Sequence, residues 1–249
     1  MRRRTHILVK GRVQGVGFRP SVFKHATACG LSGFVRNSSA GVLIEVEGTP
    51  EAVFRLIEKL RKEPPKQARI DSIHVEERPA LGAFGPFVIV PSHRSGDLQT
   101  GMPPDLATCP ECLSEIFDPK NRRFEYPFTN CTNCGPRFSI ISELPYDRER
   151  TSMAGFELCP NCFSEYSNPL DRRFDAQPNA CPTCGPSLQF MLANGEISSE
   201  DPLPCAIKQL KDGNILAVKG IGGYHLCCDA SNDRAVSLLR ARKRRPTKA

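Results

Sequence analysis

Eight of the twelve cysteines fall into four CxxC pairs, and the pairs themselves repeat. Cys109, Cys112, Cys131 and Cys134 have eighteen residues between their two knuckles. Cys159, Cys162, Cys181 and Cys184 reproduce that spacing fifty positions later. "CPECLSEIFDPKNRRFEYPFTNCTNCGP" and "CPNCFSEYSNPLDRRFDAQPNACPTCGP" align over their whole length. Zn²⁺ takes four thiolates in a tetrahedron, and one CxxC turn presents two of them. Two Zn²⁺ ions are therefore expected, with one per repeat preferred and exchange of knuckles between repeats left open. Disulfides or an iron–sulfur cluster would use the same pairs. Four thiolates leave no open position for substrate, so the expected role is structural. The cysteines at 29, 205, 227 and 228 stand outside this pattern.

The compartment bears on that reading. "MRRRTHILVKGRV" is basic but lacks an apolar signal segment. In a reducing cytoplasm, clustered cysteines hold metal more often than they pair as disulfides. No apolar run approaches the length of a membrane span, so a cytoplasmic protein without membrane contact is expected. A net charge of +7 suits anionic substrates or nucleic acid without requiring either. "NRRFEYPF" and "DRRFDAQP" interleave Arg and Phe, as a base-stacking surface would. The expected reading is plainer: Phe124 and Phe174 are core, and the adjacent Arg pairs are solvated.

The N-terminal part has a different character. "HILVKGRV" reads as a strand, and "PSVFKHATAC" as a helix beginning at Pro20. "SGFVRN" and "GVLIEVEG" form a hairpin through "SSAG". "TPEAVFRLIEKLRKEP" is an amphipathic helix with Thr49 as N-cap and Pro50 at the first position. "ARIDSIHVEE" and a short "GPFVIVP" supply further strands. The β-α-β-β-α-β order is the ferredoxin-like α+β pattern.

Between the first strand and the first helix lies "GRVQGVGFRP". A Gly-rich turn there can aim backbone N–H groups at an anion, and the helix N-terminus adds positive charge. No Lys-Ser/Thr follows, so it is not the nucleotide P-loop. Arg19 can fork two hydrogen bonds to a phosphate. The loop holds no Cys, Ser or His, so a water must attack. Asn37 is placed to orient that water if the second strand lies beside the first. His25 and Cys29, on the helix, read as packing or surface residues.

These segments, "GRVQGVGFRPSVFKHA" and "GFVRNSSAGVLIEVEG", resemble acylphosphatases. The resemblance implies a cradle of backbone N–H groups from Val13, Gln14, Gly15, Val16, Gly17 and Phe18. It also implies Arg19 as the phosphate clamp and Asn37 as the residue that positions water. The implied substrates are mixed carboxylic-phosphoric anhydrides.

From about residue 200 the chain reads helix, strand, Gly-rich turn, strand or loop, helix. "ILAVKGIGGYHLCCDASNDRAVSLLRARKRRP" resembles the start of YrdC-like domains. That implies nucleotide contacts for Lys243 and Arg245, with Lys219 and "GIGG" in a matching region. Most of such a domain would follow Ala249. The expected layout is an acylphosphatase-like domain (1–91), a linker (92–108), zinc fingers at 109–134 and 159–184, and the YrdC-like start (200–249).

In this order, and most specifically through "CPECLSEIFDPKNRRFEYPFTNCTNCGPRFSII", the chain resembles the HypF family. The family implies carbamoyl phosphate hydrolysis at the first domain. ATP-dependent formation of carbamoyl-adenylate follows. Carbamoyl then passes to the C-terminal cysteine of HypE, toward the cyanide ligands of [NiFe]-hydrogenase. Complete transfer is not expected from these residues alone. The alternatives are a stand-alone acylphosphatase and a zinc-dependent nucleic-acid-binding or protein-docking module.

Overall fold

The computed structural model describes residues 2–82, 85–93, 103–220 and 222–247. Part of the expected linker (94–102), Ile221 of the "GIGG" turn, Lys248 and Ala249 lie outside the described residues. Two compact units are present, Met1–Pro186 and Ser187–Ala249.

The first unit opens with β1 (Arg3–Arg12), α1 (Phe18–Ala28), β2 (Ser32–Ser38), β3 (Gly41–Gly48), α2 (Pro50–Lys62) and β4 (Arg69–Arg78). A two-residue strand, β5 (Val88–Ile89), follows. The sheet order is β4-β1-β3-β2-β5, antiparallel except for β2 with β5. This is the α+β architecture expected from the sequence. Strand alternation turns Ile7 and Val9 inward, and Ile7 pairs across to Ile44. Val22 and Ala26 of α1 cover that face, with Val53, Leu56 and Leu60 of α2. Each such side chain contributes about 1.5–3 kcal/mol on burial.

Local signals explain most boundaries. The Thr49 side chain accepts from Ala52 N–H, and Pro50 sits in the first turn of α2. The first helix begins at Phe18, two residues before the expected start at Pro20. Pro20 is tolerated there because the first four helical N–H groups have no partner within the helix. "GPFVIVP" narrows to Val88–Ile89, bounded by prolines that cannot donate to a ladder.

Beyond the sheet, α3 (Pro110–Phe117) and α4 (Pro160–Ser167) each follow a cysteine N-cap, Cys109 and Cys159. The two repeats exchange side chains reciprocally. Arg123 donates to Glu165 at 2.6 and 2.9 Å, while Arg173 pairs with Glu115. Arg123 Nε donates to Ala180 O at 2.9 Å, and Arg173 Nε to Asn130 O at 3.0 Å. Arg122 reaches Cys162 Sγ at 3.3 Å, and Arg172 reaches Cys112 Sγ at 3.0 Å.

The expectation of solvated Arg pairs is therefore wrong. Arg123 and Arg173 are buried, because each repeat supplies the acceptors its partner's guanidinium needs. Phe124 is exposed, contrary to its expected core role. Phe174 is buried and meets Phe23 of α1 edge-on, with ring centroids 5.4 Å apart.

The second unit contains α5 (Pro202–Lys211), β6 (Leu216–Gly220), β7 (Gly223–Cys227) and α6 (Asp233–Lys243), with β6 and β7 antiparallel. Among its described residues only Ala235 is buried. No helix among the described residues is long and apolar enough to cross a membrane.

The reciprocal pairs generate a stability prediction. Glu165→Gln leaves buried Arg123 without its charged partner and costs about 3 kcal/mol in urea denaturation. Glu58→Gln, on the exposed face of α2, leaves the midpoint unchanged.

Candidate functional site

The loop from β1 into α1 carries two residues in the left-handed region. Gly15 has φ 67°, and Gly17, the N-cap of α1, has φ 74°. A Cβ at Gly15 would also sit 2.8 Å from Pro103. Only glycine meets both conditions without strain. Val13, Val16 and Phe18 send side chains into the core and anchor the loop.

A small cavity of about 20 Å³ opens at this loop, with room for about one water. Val13, Gly15, Gly17, Phe18, Arg19 and Asn37 line it. Gln14 and Val16 are not among the lining residues. The Gln14 side chain is a brace instead. Its Nε2 donates to Ser38 O at 2.8 Å and Gly41 O at 3.1 Å, and its Oε1 accepts from Tyr146 N–H at 3.0 Å.

Asn37 reaches the cavity by a route the sequence argument did not foresee. Strand β2 does not lie beside β1, because β3 runs between them. Asn37 pairs with Val42, which pairs with Val9. The hairpin end carries the amide across one strand to the loop. Asn37 Nδ2 donates to Tyr146 O at 3.1 Å. Its Oδ1 is buried without a hydrogen-bond partner.

The roof of the cavity comes from the cysteine-rich region. Arg19 Nη1 donates to Asp147 Oδ1 at 2.8 Å, and its Nε lies 2.9 Å from Asp175 Oδ2. Nη2 donates to Tyr146 O at 3.4 Å. Burial opposes the Arg19 charge, yet Asp175 and Asp147 outweigh it and hold the guanidinium above its ordinary range. Burial pushes the Asp175 carboxyl up, against the pull of Arg19. Burial also pushes the Tyr146 phenol up to about 12.

Arg137 ties the first CxxC knuckle to the loop. Its Nε donates to Gly15 O at 2.6 Å. Its other nitrogens donate to the carbonyls of Cys131, Thr132, Cys134 and Pro136. Carbonyl and N–H of one trans peptide point opposite ways. Arg137 therefore also sets the direction of the Val16 N–H.

Each repeat gathers its own four sulfurs. Those of Cys109, Cys112, Cys131 and Cys134 lie within 4.8 Å of one another, as do those of Cys159, Cys162, Cys181 and Cys184. Neighbouring sulfurs stand 3.7–3.8 Å apart. A tetrahedron with Zn–S of about 2.3 Å has edges of about 3.8 Å. The donor set and its dimensions fit zinc.

In the second unit, Lys243 and Arg245 line one cavity with Tyr224, His225 and Arg240. Cys29 packs against the sheet core, and His25 is half-buried on α1.

Sequence reasoning missed Asp147, Asp175, Tyr146 and Arg137. One signal was available for Arg137. The first repeat continues Cys-Gly-Pro-Arg, where the second continues Cys-Gly-Pro-Ser with Ser187. Asp175 holds the position of Glu125 in the first repeat, and both adopt positive φ. Only the Asp175 copy faces the loop.

The acylphosphatase family model matches residues 5–89. The HypF finger model matches 108–141 and 158–191. A model described as telomere recombination, of the Sua5/YciO/YrdC type, matches 208–249. An acylphosphatase of Caldivirga maquilingensis is 44% identical over 88 residues, covering 34% of this chain and 92% of that protein. Residues 5–89 thus form a domain of the acylphosphatase family, followed by HypF-type fingers.

The rest of the chain narrows the assignment. Carbamoyltransferase HypF of Synechocystis is 54% identical over 244 residues, covering 97% of this chain and 32% of that protein. A crystal structure of full-length HypF in its phosphate- and nucleotide-bound form superposes with a TM-score of 0.92 at 47% identity. It covers 100% of this chain and 32% of that one. The chain belongs to the HypF carbamoyltransferase family and corresponds to its N-terminal region. It spans about a third of the length of the HypF relatives it matches. Similarity across nearly the whole chain disfavours a stand-alone acylphosphatase.

Arg137→Met removes the donor that orients the Gly15 peptide. Phosphate affinity measured by calorimetry then falls about tenfold, the scale of one charge-assisted hydrogen bond.

Proposed function

We propose that this chain hydrolyses carbamoyl phosphate to carbamate and phosphate at the β1–α1 loop. One observation carries the reading. Arg19 and Asn37, far apart in sequence, line one buried cavity at a Gly-rich helix N-terminus, and Asn37 Oδ1 is left without a donor. The phosphoryl oxygens lie against the N–H groups of the loop and accept from Arg19. A water donates to Asn37 Oδ1 and attacks phosphorus from the side opposite the anhydride oxygen. The water's oxygen bonds to phosphorus as the P–O anhydride bond breaks. Carbamate leaves with the bonding pair, and the water's proton passes to solvent. Carboxylate leaving groups depart readily, so positioning and charge stabilisation suffice.

The eight clustered cysteines hold two structural Zn²⁺ ions, one per repeat. Closed four-thiolate sites supply rigidity and no reactive position. Residues 1–91, the linker 92–108, the fingers 109–134 and 159–184, and the segment 200–249 act as successive modules. Lys243 and Arg245 contact ATP, a substrate of the whole protein rather than of this region alone. In that protein the carbamate becomes carbamoyl-adenylate, and carbamoyl is transferred to the terminal cysteine of a HypE-type acceptor during hydrogenase maturation. The compartment is the cytoplasm. A nucleic-acid role gains no support from the fingers, whose Arg pairs are engaged with Glu115, Glu165 and ligand cysteines.

Phosphate release from carbamoyl phosphate tests the site. Arg19→Ala lowers kcat/KM by about 10³-fold. Asn37→Ala lowers kcat by about 10²-fold with KM nearly constant, as expected for a group that acts on the attacking water. Equal rates for Arg19→Ala and the parent chain overturn the assignment. Elemental analysis should find two zinc ions per chain.

A further inference from the structure

The anion clamp is already occupied by the protein itself. Arg19 gives Nη1 to Asp147, Nε to Asp175 and Nη2 to Tyr146 O. The three side chains are largely buried, with relative exposures of 8% for Arg19, 16% for Asp147 and 11% for Asp175. Arg19 and Asp175 stand between the small cavity at the loop and a wider groove of about 920 Å³, lined by Arg19, Asp147, Phe156, Phe163 and Asp175. Arg19 Nη1 also donates to Ser92 Oγ at 3.4 Å, so four of the five N–H groups are engaged, and forking two hydrogen bonds to a phosphoryl group takes at least one from its present partner.

Where a carboxylate is the partner given up, it loses its nearest cation: Asp175 keeps only the neutral donors Gln177 Nε2 at 2.9 Å and Tyr166 OH at 3.4 Å, Asp147 keeps Arg150 at 3.5 Å, and a buried charge parted from its close partner is unfavourable. The donors at the phosphate end cannot replace the loss. In the proposed binding mode the loop N–H groups are taken by the anion, and Asn37 Nδ2 is committed to Tyr146 O. A substrate that brings its own N–H donors can restore the close contact that the carboxylates lose. The carbamoyl group carries two N–H donors on the side away from phosphorus. An acetyl group carries none there.

We infer that Asp147 and Asp175 are specificity-determining residues, which accept the amino hydrogens of the carbamoyl group as Arg19 turns to the phosphate. The inference rests on the hydrolysis proposed above and adds a reason for substrate choice. The roof taxes every acyl phosphate equally by holding Arg19, and a substrate with N–H donors regains part of the loss that acetyl phosphate cannot. A site built to bind an N–H group rejects the analogue lacking it far more strongly than a hydrophobic pocket rejects a missing methylene. The orphan Asn37 Oδ1 in the same cavity stays available for the attacking water.

The duplication supplies an internal comparison. Glu125 occupies the same place in the first repeat with the same positive φ, yet it is exposed and faces no cation of the loop. The backbone turn therefore belongs to the repeat. The engagement of Arg19 is particular to Asp175.

The test compares carbamoyl phosphate and acetyl phosphate on this chain, on Asp147→Ala/Asp175→Ala, and on the corresponding double Asn variant. The parent chain is expected to favour carbamoyl phosphate by at least about 100-fold in kcat/KM. In the double Ala variant that ratio falls at least tenfold, and acetyl phosphate turnover rises. Inorganic phosphate, which brings no N–H donor, binds about tenfold tighter by calorimetry once Arg19 is released. A merely structural role would not tighten it. The Asn variant keeps an acceptor without the charge. It tightens phosphate while retaining part of the selectivity, and it serves if the Ala variant fails to fold. Unchanged selectivity with unchanged phosphate affinity overturns the inference while leaving hydrolysis intact. If the parent chain hydrolyses neither substrate, the hydrolytic assignment fails. Phosphate affinity then still decides whether the carboxylates compete for Arg19.

Discussion

A guanidinium taken out of water must find acceptors, and four buried arginines decide how this chain packs. Arg123 and Arg173 bind the two cysteine repeats to each other. Arg137 joins the first repeat to the β1–α1 loop, and Arg19 answers from that loop to Asp147 and Asp175. Each cation reaches at least one acceptor on a segment distant in sequence. A hydrophobic interface of similar area would hold the parts together. It would not set the direction of the Gly15 peptide or the reach of Arg19.

The acylphosphatase-family fold was largely readable from the chain. Period-two alternation in β1 and β3, the capping pair Thr49–Pro50 and the hairpin at Ser39–Ala40 are local signals, and local signals survive folding. The four-cysteine clusters were readable for a related reason: CxxC spacing is itself a geometric constraint. Asn37 shows the limit. Its place at the end of β2 was evident, but its position in the sheet was not, because strand order is a long-range property. The roof lay further out of reach. Asp147 and Asp175 sit more than a hundred residues from Arg19, and nothing in their neighbourhoods marks them as its partners. Arg122, Arg123, Arg172 and Arg173 looked like solvated charge until the other repeat supplied Glu115, Glu165 and two sulfurs.

The duplication has been put to two uses. Where the repeats face each other, they remain alike: RRF meets a helical Glu in both directions. Where they face the β1–α1 loop, they differ. The first contributes Arg137 after its second knuckle, and the second contributes Asp175 from its central turn. Symmetry supplies the mutual brace, and departure from symmetry supplies the lid over the loop.

The donation from Arg122 to Cys162, and from Arg172 to Cys112, crosses between the repeats. A cluster of four thiolates around a divalent ion carries excess negative charge, and here the neutralising cation is lent by the neighbour. Neither sulfur cluster is surrounded by its own repeat alone. A change at Arg122 is therefore felt at the sulfurs of the second repeat, and a change at Arg172 at those of the first.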